Sequence, residues 1–217
     1  MFVGQERYAT KVLEQCNTES CHSCKTPMDT KLVLTKPDKD EISGVPEYQS
    51  LCGSLMYAML GTCPDLAYAV STLSKFNSEP AEEHHTAAKR TLRYLKETKD
   101  YGLLYEGETD RESFLEPLCY ADSDWAGDTK SRKSSRRYVL ILCNAAVSWK
   151  TKKQTPISLS STEAEYDALS EVTKEAIWMK RLRREIKTRT IPKAKVNLAE
   201  YHEDEIERQW KPWRNGD

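Results

Sequence analysis

Four carboxylates carry the chemistry that this sequence of 217 residues suggests. Asp122 and Asp124 close a short apolar run, residues 118–121, and Glu163 and Glu165 open a capped stretch further along. A carboxylate at a strand end and another on the first turn of a later helix can converge on one divalent cation. That is the starting point of metal-dependent phosphodiester hydrolysis, in which the cation activates water and steadies the leaving oxygen. A basic stretch lies between the two pairs of acids. Residues 129–153 hold eight Lys or Arg and no acid: Lys130, Arg132, Lys133, Arg136, Arg137, Lys150, Lys152 and Lys153. Residues 174–195 set nine more against Glu175 and Glu185. Basic runs beside a carboxylate cluster suit a polyanion held across a metal site. Solvated surface charge is the alternative for any single run.

These groups need a scaffold, and the pattern around them supplies one. Residues 118–121 read as a first strand with Asp122 at its end. The run Tyr-Val-Leu-Ile-Leu at 138–142 suits a buried second strand, and residues 146–150 a third, after a tight turn at Cys143 and Asn144. Ser160 and Glu163 make a capping box for a long helix whose apolar stripe is Leu169, Val172, Ala176, Met179 and Ile186. Glu165 falls one turn before Leu169 and is expected to face inward. A bare acid on a packing face is costly unless a metal or a partner compensates it. The residues alone leave a structural salt bridge open there.

Upstream the spacing is helical. A helix is expected over residues 6–13, then a polar loop holding Cys16, Cys21, His22 and Cys24. Its CxxC step invites zinc, but a structural site pairs two such knuckles and the sequence has one. Residues 31–47 read as an exposed linker. From Tyr48, Leu51, Leu55 and Met59 share a face until Gly61; Pro64 opens a second segment with Leu66, Val70, Leu73 and Phe76. Pro80 opens a third, with Glu82 and Glu83 first, Lys96 and Lys99 last, and Ala88, Leu92 and Leu95 as its stripe. His84 and His85 are adjacent, so they point different ways and read as capping or packing residues rather than ligands.

Composition sets outer limits. Hydrophobic residues make up 38% of the chain and charged residues 31%, and no apolar run approaches the ~20 residues of a membrane helix. The first residues lack a secretory layout. Seven cysteines then argue for free thiols in a reducing compartment, cytoplasmic or nuclear rather than secreted.

The segment from Tyr48 to Tyr105 resembles the stretch that joins reverse transcriptase to ribonuclease H in copia-type retrotransposon Pol polyproteins. Tyr48, Gly53, Pro64, Asp65, Ala87, Ala88, Lys89, Arg90, Tyr94 and Gly102 stand where that family's pattern wants them. Thr26, Pro27 and Met28 match earlier, and the similarity runs over residues 7–187. Cys63 replaces the usual Arg and His85 the usual Trp. The family's Y-x-D-A-D-W-A-G-D falls on Tyr120, Asp122, Asp124, Trp125, Ala126, Gly127 and Asp128. Its R-K-S-T-S-G-Y falls on residues 132–138, with Arg137 in place of Gly.

The resemblance implies an α/β (α+β) fold: a helical reverse-transcriptase segment followed by an incomplete ribonuclease H-like mixed sheet with one long packing helix. It divides the chain into residues 1–47, the end of reverse transcriptase and a linker; 48–110, a helical connection; 111–187, the partial ribonuclease H-like domain; and 188–217, an unplaced charged tail. It implies Asp122 and Glu165 as Mg²⁺ ligands and catalytic acids, with Asp124 and Asp128 as turn residues. Arg132, Lys133, Arg136, Lys152 and Lys153 become the contacts to an RNA–DNA hybrid. The polymerase Y-V-D-D turn is absent, as are the C-D-N-x-S-A and H-I-D patterns that give the family its other two acids. The expectation is therefore weak Mg²⁺ binding and little or no hydrolysis, or a non-catalytic remnant that binds nucleic acid. The remaining Pol segments are the expected partners, and a membrane is not.

Overall fold

The computed structural model describes residues 1–18, 20–29, 31–106, 117–127 and 131–185, except the side chains of residues 183 and 184. Asp128, Lys130, Ile186 and the tail from 188 lie outside the described residues. Of the described residues, 3–102 belong to one compact unit, and 1–2 with those of 103–185 to another. Phe2–Gly4 (β1) and Gly102–Leu104 (β2) form a two-stranded sheet of their own.

The first unit is helical: Glu6–Gln15 (α1), Val45–Gly61 (α2), Ala67–Leu73 (α3) and Glu82–Glu97 (α4). Its core draws Val12 and Leu13 from α1, Tyr48, Cys52 and Leu55 from α2, Val70 and Leu73 from α3, and Ala88, Leu92 and Leu95 from α4. Leu51 and Met59 only flank that core. The inward face of α2 is instead centred on Tyr48, whose hydroxyl donates to the Leu73 carbonyl at 2.9 Å. Helix α2 also starts earlier than the apolar spacing implies. Pro46 sits in its first turn, where a missing N–H removes no helical bond. Gly44 precedes it at φ +59°, and a Cβ there would meet the His85 ring at 2.9 Å.

Both histidines pack and cap. The buried His84 ring accepts the Ala81 N–H on Nδ1 at 2.9 Å, so Nε2 carries the proton and donates to the Thr35 carbonyl at 3.0 Å. His85 Nε2 lies 3.1 Å from the Ser43 carbonyl. The cysteine loop is tied to α4 largely through its backbone: Arg93 Nε donates to the His22 carbonyl and Lys96 Nζ to the Cys21 carbonyl. All seven cysteines are free thiols. Among the described residues no three His, Cys, Asp or Glu side chains gather as metal ligands. No helix among them is long and apolar enough to cross a membrane.

In the second unit, Leu118–Asp124 (β3), Ser135–Leu142 (β4) and Ala145–Lys153 (β5) form a sheet in that order, and Ser161–Glu185 (α5) follows. Cys143 and Asn144 join β4 to β5 with φ of 55° and 62°, the double positive φ of a two-residue hairpin turn. Both pairings are antiparallel, and among the described residues there is no parallel strand to make the sheet mixed. Helix α5 packs Ala164, Ala168, Val172 and Ala176 inward, each four residues after the last. Val172 and Ala176 meet Cys119 and Leu140, with Leu169 and Met179 at the flank. A separate cluster of Leu103, Ala145 and Ala146, flanked by Tyr105, Val139 and Trp149, forms in the same unit.

Burial pushes the His84 imidazole below its ordinary value of 6.5, with the neighbouring Glu83 charge opposing. The unfolded chain takes up a proton where the folded ring still resists. Stability from His84 is therefore complete above about pH 6.5 and is lost as pH falls through the lower folded value. Melting temperatures at about pH 7.5 and about pH 5.5 check this. The unsubstituted chain should lose more on acidification than a His84→Gln variant, and equal losses would contradict the assignment.

Candidate active site

Strand alternation decides what the site can be. Cys119 packs under α5, so Ala121 and Ser123 share its face, while Tyr120, Asp122 and Asp124 point to the other. On β4 the same rule puts Arg136, Tyr138 and Leu140 toward α5, and Arg137 with Asp122 and Asp124.

The helix-facing side is an ion-pair ladder. Asp167, Glu171 and Glu175 recur at four-residue steps along α5 and meet groups on β4 and β5. Arg136 Nη1 lies 2.7 Å from Asp167 Oδ2, and Lys150 Nζ lies 3.0 Å from Glu171 Oε1. Ser148 donates to Glu175 at 2.9 Å. The Lys150 hydrogen bond is the main reason that Glu171 is held below its ordinary value of 4.5. Partial burial opposes it, and the charges of Arg136, Lys150 and Lys174 add to it.

At the N-terminus of α5, Ser160 Oγ accepts the Glu163 N–H at 3.2 Å, as the capping reading requires. The Glu163 carboxylate reaches one residue further back, to the Leu159 N–H at 2.7 Å. Buried Gln154 closes the arrangement. Its Nε2 donates to the Ala164 carbonyl at 2.8 Å and to Ser123 Oγ at 3.3 Å, and its Oε1 accepts from Ser158. One side chain thus ties β3, the end of β5 and the first turn of α5 together.

On the opposite face, Asp122 stands directly across the ladder from Arg137. Arg137 Nη1 lies 3.6 Å from Asp122 Oδ2, and Nη2 lies 3.5 Å from Asp124 Oδ2. Asp124 also serves the turn that follows, accepting the Gly127 N–H at 3.0 Å. A Cβ at Gly127 would collide with that carboxylate. Arg137 has no positive φ, so its replacement of the family's Gly strains no backbone.

Of the residues expected to bind metal, Asp122 ends on the sheet face away from α5 and is half exposed. Glu165 is exposed on α5 and not inward; the inward position belongs to its neighbour Ala164. The donor set does not fit a Mg²⁺ centre: one carboxylate already faces a guanidinium, and the other lies off the packing face. Of the expected nucleic-acid contacts, Arg132 and Lys152 are exposed and Lys133 and Lys153 are half-buried. Arg136 is committed to Asp167 and Glu171.

Sequence reasoning missed the ladder and Gln154. The four-residue recurrence of Asp167, Glu171 and Glu175 was a readable signal. Nothing marked Gln154, a single amide in a Lys- and Thr-rich run.

The chain is 40% identical over 195 residues to the retrovirus-related Pol polyprotein from transposon TNT 1-94 of Nicotiana tabacum, a match over 86% of this chain. It spans only 14% of that polyprotein's length. It is 49% identical over 132 residues to secreted RxLR effector protein 161 of Plasmopara viticola, covering 61% of this chain and 90% of that one. An uncharacterized mitochondrial protein of Arabidopsis thaliana is 34% identical over 181 residues, 82% of this chain and 72% of its own. No protein-family profile matches the chain, and no solved structure does. The polyprotein relatives are those of retrotransposons. The chain belongs to the copia-type retrotransposon Pol polyprotein family.

The ladder makes a stability prediction. Glu171 is 21% exposed and Lys150 41%, so their pair is only partly shielded from solvent. A double-mutant cycle with Lys150→Met and Glu171→Gln should give a coupling of about 0.5–1 kcal/mol. Because Glu171 is held low, its contribution is present above its ordinary value and lost as pH falls through the folded one. Urea melts above and below that window should show the coupling vanish in acid; a coupling that persists there would refute the assignment.

Proposed function

We propose that this chain is a retrotransposon-derived Pol segment whose second unit is ribonuclease H-like but does not hydrolyse RNA–DNA hybrids, and that it holds nucleic acid weakly. The observation that carries this reading is the partnering of Asp122. Its counter-charge is Arg137, while Glu165 lies exposed on α5. Two-metal hydrolysis needs carboxylates converging on cations at the scissile phosphate; a guanidinium beside Asp122 and an outward Glu165 argue against that arrangement here.

Binding needs less. Arg132 and Lys152 are exposed, and Lys133 and Lys153 are partly so, which leaves basic groups to meet phosphates without base-specific contacts. Arg136 is left out of this set, since engaging a phosphate would cost its 2.7 Å ion pair with Asp167. Other Pol segments are partners of the same proposal, as the source of acids that this chain does not bring together.

A labelled RNA–DNA hybrid in Mg²⁺ and in Mn²⁺ tests the hydrolytic half. No cleavage above background is expected, and Asp122→Asn and Glu165→Gln should change nothing. Cleavage abolished by either substitution would overturn the reading. For binding, affinity should fall steeply with salt, at about 0.9 log–log slope units per neutralised phosphate. Arg132→Ala combined with Lys152→Ala should lower that slope by about two units, whereas Arg136→Gln should lower stability and leave the slope in place. A salt-independent affinity would refute the binding mode.

A further inference from the structure

The side of the sheet that carries Asp122 holds a second feature. Antiparallel register sets Arg137 opposite Asp122, and Asp124 lies on the diagonal of the same face. The two Nη atoms divide between the acids, Nη1 at 3.6 Å from Asp122 and Nη2 at 3.5 Å from Asp124. The guanidinium is thus placed between two carboxylates as a bridging cation would be. Asp124 is held in place from the other side by the Gly127 N–H at 3.0 Å, so one member of the pair is fixed by the turn.

We infer that Arg137 is a built-in counter-cation for the Asp122–Asp124 pair and keeps divalent metal ions off it. The inference deepens the reading of a non-hydrolysing segment, since it gives a physical reason why Asp122 would not take up a metal ion. Three properties of the group support it. Arginine keeps its charge even at strongly alkaline pH, so base does not discharge the counter-ion. Its fork supplies separate donors to separate carboxylates, which Lys would do only as a point charge. It is also part of the same strand ladder, so a metal ion in solution competes with a partner already tethered in place. Mg²⁺ gives up its waters reluctantly and is poorly placed to win that competition. Where the resembled pattern has Gly, no side chain reaches the acids from this position.

The consequence is a cation requirement that one substitution exposes. The probe is Mn²⁺ alone, read by calorimetric binding and by melting temperature on the full chain. The unsubstituted chain should bind no Mn²⁺ that depends on Asp122, and its melting temperature should not respond to the ion. Arg137→Gln keeps a strand-compatible side chain and removes the charge. It should melt about 2–4 °C lower without metal, then bind Mn²⁺ saturably and regain stability. Adding Asp122→Asn should abolish both gains. Arg137→Gly repeats the test with the family residue, in case glutamine itself reaches the acids.

Mn²⁺ uptake by the unsubstituted chain that Asp122→Asn removes would overturn the inference. So would Arg137→Gln and Arg137→Gly variants that both fold but bind no more Mn²⁺ than the parent. Hydrolysis of hybrid by the unsubstituted chain bears instead on the non-hydrolysing reading, so the two failures are separable.

Discussion

The two-residue period of an antiparallel sheet governs the second unit. Each strand residue is committed to one face or the other, and β3, β4 and β5 are registered so that polar groups align across the ladder. Cys119 and Leu140 fix the helix face, and everything else follows by counting. Arg136 and Lys150 turn toward α5 and meet its acids. Asp122, Asp124 and Arg137 turn away and meet one another. A one-residue slip would bury Asp122 under the helix and expel Arg136 from its pairs. Register and electrostatics therefore enforce the same arrangement.

The helix that covers this sheet is chosen by size as well as by polarity. Ala164, Ala168 and Ala176 are small enough to bring α5 close, and Val172 fills the middle. Close approach shortens the reach of the flanking carboxylates, so Asp167, Glu171 and Glu175 can engage strand side chains directly. Gln154 then locks the first turn of α5 to the strands by hydrogen bonds from a fully buried amide. A buried amide must satisfy its donors and acceptor, and Ala164, Ser123 and Ser158 do so here.

Much of this was legible in the sequence, for identifiable reasons. The strand at 138–142, the turn at Cys143 and Asn144, and the Ser160 cap rest on local chemistry, and local chemistry reads directly. His84 was legible as a capping residue because its neighbour on the chain had to point elsewhere. Glu165 faces outward because the inward line of α5 runs through Ala164, Ala168 and Val172 and not through Leu169. Leu169 is at the flank, and the alanines, which carry little hydrophobic signal, are the true centre. The sense of Asp122 was beyond reach. Which face a strand end presents depends on register with β4, and register is a long-range property. The same limit hid Arg137, visible as an unusual residue but not as the partner of the acid across from it.

The central claim is that Asp122 and Glu165 do not hold a cation between them in this chain. Paramagnetic relaxation by Mn²⁺, followed on assigned backbone amides, tests it most directly. The account predicts no selective broadening near residues 120–124 together with residues 163–167 at sub-stoichiometric Mn²⁺. Joint broadening of both segments, removed by either Asp122→Asn or Glu165→Gln, would contradict it.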